Sequence, residues 1–277
     1  MMRACLTPGK MTRMQPILNI ALRASRQSSE YINQLLDKQD PAQSDAHASE
    51  KMLSHLESTI FQNFFDNIKK SHPTHYLVEP GETLADVKED SWHINSIHNP
   101  GHLLRKLPSC AYSVVHKHQG KTQDVLLANP FSGEEFTASR GGGAALNGRR
   151  IRCSSAKNLN TALVATNTWN QFSNHTTPHV ITDFMTELTS SVYQTMINGC
   201  DALDIAMVAS GQIEAAVLTK VDYQSLDASL LLCQEAGVLC GTLNGRLFSE
   251  GEDKLVVANP KLFKALVQRL NGYQGKL

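Results

Sequence analysis

Four side chains within one short stretch, Asn95, His98, Asn99 and His102, are of types that do chemistry. They lie in Ser91–Leu104, which reads SWHINSIHNPGHLL. Imidazoles move protons near neutral pH or ligate metals, and carboxamides orient polar ligands. The stretch holds no carboxylate, so by itself it offers a hard cation such as Mg²⁺ only neutral donors. Upstream lies an acidic turn, Val78-Glu79-Pro80-Gly81-Glu82. His98 and His102 stand four apart, the spacing of a helical zinc pair, but Pro100 and Gly101 interrupt any helix joining them. A transition-metal site built from His93, His98, His102 and Glu79 is therefore weighed against solvated or core histidines, and the second reading is preferred.

The elements that must carry this stretch follow from apolar spacing. Trp92, Ile94 and Ile97 give a strand, and Pro100-Gly101 starts a helix. Upstream, Gln15–Leu36 and Ala46–Lys70 read as amphipathic helices, the second stopped by Ser71-His72-Pro73, and Tyr76–Val78 as a strand. Downstream, Ala111–His116, Asp124–Ala128 and Glu135–Ser139 form an antiparallel meander. After Leu163 the pattern alternates. Strands are read at Leu163–Thr166, Tyr193–Ile197, Ile213–Val217, Val238–Leu243 and Leu255–Ala258, with helices at Val180–Ser190, Ala202–Ser210, Asp227–Ala236 and Pro260–Leu270. The fold class is α/β, with an α+β first half and an α/β second half. The division expected is an extension over 1–13, a first subdomain over 14–153 and a second over 154–277.

Other routes to chemistry are weaker. The six cysteines lack any CxxC pairing and read as buried free thiols, and no serine or cysteine has a recognisable nucleophile elbow. The glycine-rich run Arg140–Gly148 fits neither a Walker A loop nor a dinucleotide fingerprint, so it reads as a structural turn. Lys plus Arg equal Asp plus Glu, 26 each, which argues against a strongly basic nucleic-acid binder, and direct sequence-specific nucleic-acid binding is not expected. No apolar run has the length of a membrane span. The opening MMRACLTPGKMTR has no apolar signal region and reads as an extension, with Met14 as an alternative start; the expected location is cytoplasmic.

Several phrases resemble the inositol monophosphatase family, in its bacterial SuhB-like branch. They are Met14–Ala24, Glu134–Arg150, Ala202-Leu203-Asp204 to Gly211, Glu235-Ala236-Gly237 and Val257-Ala258-Asn259-Pro260. The resemblance runs over roughly Met14 to Leu270. It implies a layered αβαβα sandwich, commonly dimeric, and a Mg²⁺-dependent phosphatase of inositol phosphate or another small phosphate monoester.

The catalytic phrases depart from that pattern. Where the family carries D-P-L-D-G-T after Trp-x-Ile, this chain has Asn95 and His98 in place of the aspartates and Pro100 in place of the threonine. Counting along the remaining phrases puts Glu57 on a family aspartate, Ser225 on the W-D ligand, Cys200 and Asp201 on the substrate-binding segment, and Leu218 on the ring-contacting glutamate. Strict counting places Pro80 on the acidic-turn glutamate, with Glu79 one residue away; Glu79, Glu57 and Asp227 are the residual metal candidates. The resemblance therefore implies a catalytically inactive homologue, a pseudophosphatase working through protein contacts. The role that the SuhB-like branch implies is an accessory factor in ribosomal RNA antitermination, homodimeric, with RNA polymerase or Nus factors as partners. No cofactor is expected, and Mg²⁺ only if activity is retained.

Overall fold

The computed structural model describes residues 16–38, 46–78, 89–168 and 178–277. The opening residues through Gln15, including the alternative start at Met14, and the acidic turn with Glu79 lie outside the described residues.

Two long helices open the chain, α1 (Pro16–Asp37) and α2 (Ala46–Ser71). The strands β1 (Tyr76–Val78) and β2 (Ser91–His98) follow, then one turn of helix, α3 (Pro100–Leu103). A meander continues as β3 (Ala111–His118), β4 (Lys121–Ala128), β5 (Glu135–Ser139), β6 (Gly143–Leu146) and β7 (Arg149–Arg150). These seven strands form one sheet in chain order, antiparallel except for the β1–β2 pair.

The second half alternates β8 (Leu163–Thr166), α4 (Pro178–Ser191), β9 (Gln194–Met196), α5 (Asp201–Ser210) and β10 (Ala215–Thr219). It ends with α6 (Asp227–Ala236), β11 (Leu239–Gly241), β12 (Lys254–Ala258) and α7 (Pro260–Leu270). The second sheet has the order β11-β12-β10-β8-β9, with β9, β8 and β10 parallel to one another and β12 antiparallel.

Period-two burial makes five layers. Trp92, Tyr112, Val114 and Leu126 turn one face of the first sheet onto Ala21, Ile32, Phe64 and Ile68 of α1 and α2. Its other face, through Val115, Val125, Leu127 and Phe136, meets Ile205, Ala209, Leu232 and Ala236 of α5 and α6. The same two helices receive Ala216, Leu218, Leu255 and Val257 from the second sheet. Val217, Val256 and Ala258 point the opposite way, onto Phe184, Leu188, Leu262 and Leu266 of α4 and α7. The order α, β, α, β, α is the sandwich expected, and its middle helical layer serves both sheets.

Two expectations need correction. The run Arg140–Gly148 is not all turn: Gly143–Leu146 is a strand, because Ala144 and Ala145 are small enough to be buried on both faces beside β5. Turns remain at Asn147–Gly148 and at Arg140–Gly142, where the Glu235 carboxylate accepts from Gly141 N at 2.8 Å and Gly143 N at 2.9 Å. Amides that a phosphate would need are already satisfied. The strand read at Ile213–Val217 is displaced to Ala215–Thr219, since Ile213 closes the turn after α5 and Glu214 caps Leu163 N through its side chain at 2.9 Å.

The first helical layer is pinned by one phenol. Tyr112 is fully buried, and its hydroxyl lies 2.9 Å from both Ser25 Oγ and Ser29 Oγ and 2.7 Å from Ser25 O, to which it donates. Tyr112→Phe leaves these groups without that partner, so a loss of about 1–3 kcal/mol in urea-denaturation stability is expected. A loss of only a few tenths would show that the serines repartner freely.

Candidate functional site

The site begins with an irregularity in β2. Trp92 and Ile94 face α1 and α2, and regular alternation would send residue 98 the same way. The β2–β3 register shifts between Asn95 and His98, so Ile97 joins the apolar face and His98 is turned to the other side. There His98 Nε2 lies 3.0 Å from Ser113 Oγ. The side chain of Asn95 lies outside the described residues, and its backbone is held in the ladder opposite Ser113.

The chain then bends sharply. Asn99 sits in the left-handed region at φ 59°, which a short carboxamide tolerates. Its side chain accepts from His102 N at 3.3 Å and donates through Nδ2 to Gly199 O at 2.7 Å. Pro100 occupies the first turn of α3, where it needs no N–H partner. Gly199, at φ +81°, packs so closely that a Cβ there would lie 3.1 Å from Asn99 Nδ2 and 3.3 Å from His102 Cε1. The buried His102 Nδ1 has no hydrogen-bond partner.

From the second half come the carboxyl ends of the parallel strands, the usual place for a ligand in an α/β sheet. Asn167 follows β8, the Asn198–Asp201 turn follows β9, and Val221-Asp222 follows β10. Asn167 is buried and fully engaged: Nδ2 donates to Asp201 Oδ2 at 2.9 Å and to Thr219 O at 3.0 Å, while Oδ1 accepts from Thr219 N at 2.8 Å. Asp222 Oδ2 accepts from Ser225 N at 2.9 Å, and the Ser225 hydroxyl turns back to Asp222 O at 2.8 Å. Together His98, Asn99, Asn167, Asp201, Asp222 and Ser225 line a cleft of about 240 Å³, with Cys200 at its wall.

Burial sets the protonation of this cleft. It pushes the His98 imidazole down to about 4, so the ring is neutral at pH 7. It lifts Asp201 to about 6, against the opposing hydrogen bond from Asn167. Behind it Asp204, fully buried in the first turn of α5, is lifted to about 7 by burial and by the Asp201 charge, with the Asn198 amide at 2.7 Å working the other way. The Cys200 thiol is pushed up to about 12 by burial, which removes it as a nucleophile at neutral pH.

The predicted positions divide. His98, Cys200, Asp201 and Ser225 meet at the cleft, and Pro100, at the start of α3, does not line it. Leu218 is wholly buried in the core between sheet and helices, away from the cleft lining. Glu57 is partly buried on α2 and does not line the cleft. Asp227 does not line it either; it pairs with Lys117 Nζ at 2.7 Å and accepts from Thr122 Oγ1 at 3.2 Å. Glu79 lies outside the described residues. Asn167 and Asp222 were not singled out from the sequence, although each directly follows a parallel strand and that position was the available signal.

This inventory was tested against Mg²⁺, the family's cation. Hard cations want several oxygen ligands, usually charged ones. The positions that the resemblance singles out supply a neutral imidazole at His98 and a hydroxyl at Ser225 that is spent on a backbone carbonyl. Among the described residues no three His, Cys, Asp or Glu side chains are grouped to hold a metal ion. The donor set described does not fit Mg²⁺, and no catalytic step is derived through it.

Asp204 gives the site a pH signature. Its folded value of about 7 lies above the ordinary aspartate value of about 3.9, so folding favours the protonated form. The associated stability is complete below about pH 4 and is lost as pH rises through about 7. Asp204→Asn, which keeps an acceptor for Asn198, is expected to gain about 2 kcal/mol on the parent between about pH 5 and about pH 8 in urea titrations. An identical offset at both pH values would refute this.

Comparison with known proteins matches this arrangement. The model of the inositol monophosphatase family matches residues 102–274. The Nus factor SuhB of Pseudomonas aeruginosa is 32% identical over 264 residues, covering 92% of this chain and 95% of that one. Nus factor SuhB of Escherichia coli strain K12 is 27% identical over 93% of this chain and 96% of its own length. Among solved structures, extragenic suppressor protein suhB from Bartonella henselae superposes with a TM-score of 0.74 at 19% identity, over 93% of this chain and 99% of that one. A Thermotoga maritima IMPase gives 0.75 at 18% identity, over 93% of this chain and 98% of that one. The chain belongs to the inositol monophosphatase family and is a SuhB-like member of it.

Proposed function

We propose that this chain is a pseudophosphatase: it keeps the family scaffold without the family's metal-dependent hydrolysis and acts through protein contacts. The observation that carries the reading is the donor set of the cleft. A two-metal phosphatase needs carboxylates to hold its cations and to activate a water. Here His98 is neutral, Ser225 Oγ is turned onto Asp222 O, and Asp227 is engaged by Lys117. Cys200, at the cleft wall, is inert as a thiol and does not replace them.

The role that suits such a scaffold is that of its relatives, which are Nus factors by name. The chain would serve as an accessory factor in ribosomal RNA antitermination, in the cytoplasm, as a homodimer, with RNA polymerase or Nus factors as partners. Its likeness to the Pseudomonas aeruginosa relative over 92% of its length supports this. No helix among the described residues is long and apolar enough to cross a membrane.

The purified protein is expected to release no phosphate from inositol 1-phosphate in Mg²⁺ or Mn²⁺, and to be retained by immobilised RNA polymerase together with Nus factors. Turnover that disappears in Glu79→Ala would overturn the inactive reading and restore a Mg²⁺-dependent phosphatase. Loss of retention with the silent active site unchanged would overturn the transcription role alone.

A further inference from the structure

The cleft is polar, and its charge has one sign. Asp201 and Asp222 line it, and among the described lining residues there is no lysine or arginine. His98 adds no positive charge, because burial keeps its ring neutral at pH 7. Each carboxylate spends one oxygen on the protein: Asp201 Oδ2 accepts from Asn167, and Asp222 Oδ2 accepts from Ser225 N. Among the described residues the other oxygen of each has no hydrogen-bond donor.

We propose that this cleft binds a small, hydroxylated organic amine without a phosphate, an amino sugar or amino alcohol, with its ammonium group matched to Asp201 and Asp222. The inference rests on the reading that the cleft holds no catalytic metal. Three physical points select the ligand class. A phosphate entering between two carboxylates with no cation present is repelled, and a partly desolvated site strengthens that repulsion. A divalent metal would need a ring of oxygen ligands, which the described side chains do not supply. An ammonium group brings three N–H donors and imposes no coordination geometry, so two separately placed carboxylate oxygens can serve it.

The remaining lining suits hydroxyls. The Ser225 oxygen keeps lone pairs toward the cleft after donating to Asp222 O, and Asn99 and Asn167 hold their amides rigid at its edge. At about 240 Å³ the space is below the range of roughly 300–1,000 Å³ that takes drug-sized ligands, which fits a single ring. Asp201 is also preorganised. Asn167 ties it to β10 through Thr219, so its free oxygen is fixed before any ligand arrives.

The test is calorimetric titration of the full chain with glucosamine and ethanolamine, against N-acetylglucosamine, glucose, and inorganic phosphate with Mg²⁺. The amines are expected to bind, and glucosamine at least about tenfold more tightly than N-acetylglucosamine, which keeps the ring and loses the charge. Asp201→Asn and Asp222→Asn should each cost about tenfold for glucosamine and leave the neutral sugars unchanged, with thermal unfolding confirming that both variants fold. Equal binding of charged and uncharged sugars overturns the proposal, as does affinity unaltered in both variants. Absence of amine binding overturns it while leaving the protein-contact reading in place. Binding of phosphate with Mg²⁺ in place of the amines overturns both.

Discussion

The hydrogen bond from Asn99 Nδ2 to Gly199 O, at 2.7 Å, joins the two halves of the molecule across the cleft. One end is the corner after β2, and the other is the turn that launches α5. Each end is strained into place. Asn99 holds a left-handed backbone, and Gly199 does so at a point where a side chain would collide with Asn99 and His102. The contact therefore depends on a residue able to bend and a residue able to do without a Cβ. Both partners line the cleft together with His98, Asp201 and Ser225, so the bond ties its two sides to each other.

The same junction explains why the site's electrostatics are governed by burial. α5 starts at the cleft, with Asp201 and Asp204 in its first turn, where the helix dipole favours negative charge. Burial opposes ionisation, and the result places both groups well above the ordinary aspartate range. Two carboxamides, Asn167 and Asn198, each donate to one of them. His98 and Ser225 are neutral, whereas the charge of the cleft sits on Asp201 and Asp222.

Much of the fold was legible because its signals are local. The continuous apolar runs of the fully buried strands β10 and β12, the apolar stripes of α1 and α7, and the glycines that close α5 and α6 at φ +74° and +85° are all written in adjacent residues. The strand β6 was hidden because glycine and alanine carry little strand propensity, and only packing against β5 makes them extended. The site was legible by resemblance at His98, Cys200, Asp201 and Ser225. Leu218 and Asp227 fell out of it because a position along a chain does not state where a side chain points: Leu218 alternates into the core, and Lys117, distant in sequence, captures Asp227. Asn167 escaped notice because its importance lies in bonds to Asp201 and Thr219, both far along the chain.

The neutral side chains and the carboxylates of the cleft behave differently. His98 is satisfied by Ser113, and Ser225 by Asp222, so each has a polar neighbour within the protein. Such pairing leaves no uncompensated charge at either position. The carboxylates at the start of α5 are the exception. A partly buried carboxylate raised to about 6 at Asp201 destabilises the fold when ionised, and one hydrogen bond from Asn167 offsets only part of that cost. Asp204 carries the same cost more deeply, with Oδ2 buried and without a hydrogen-bond partner, so the unbalanced polarity of the site is concentrated where α5 meets the cleft.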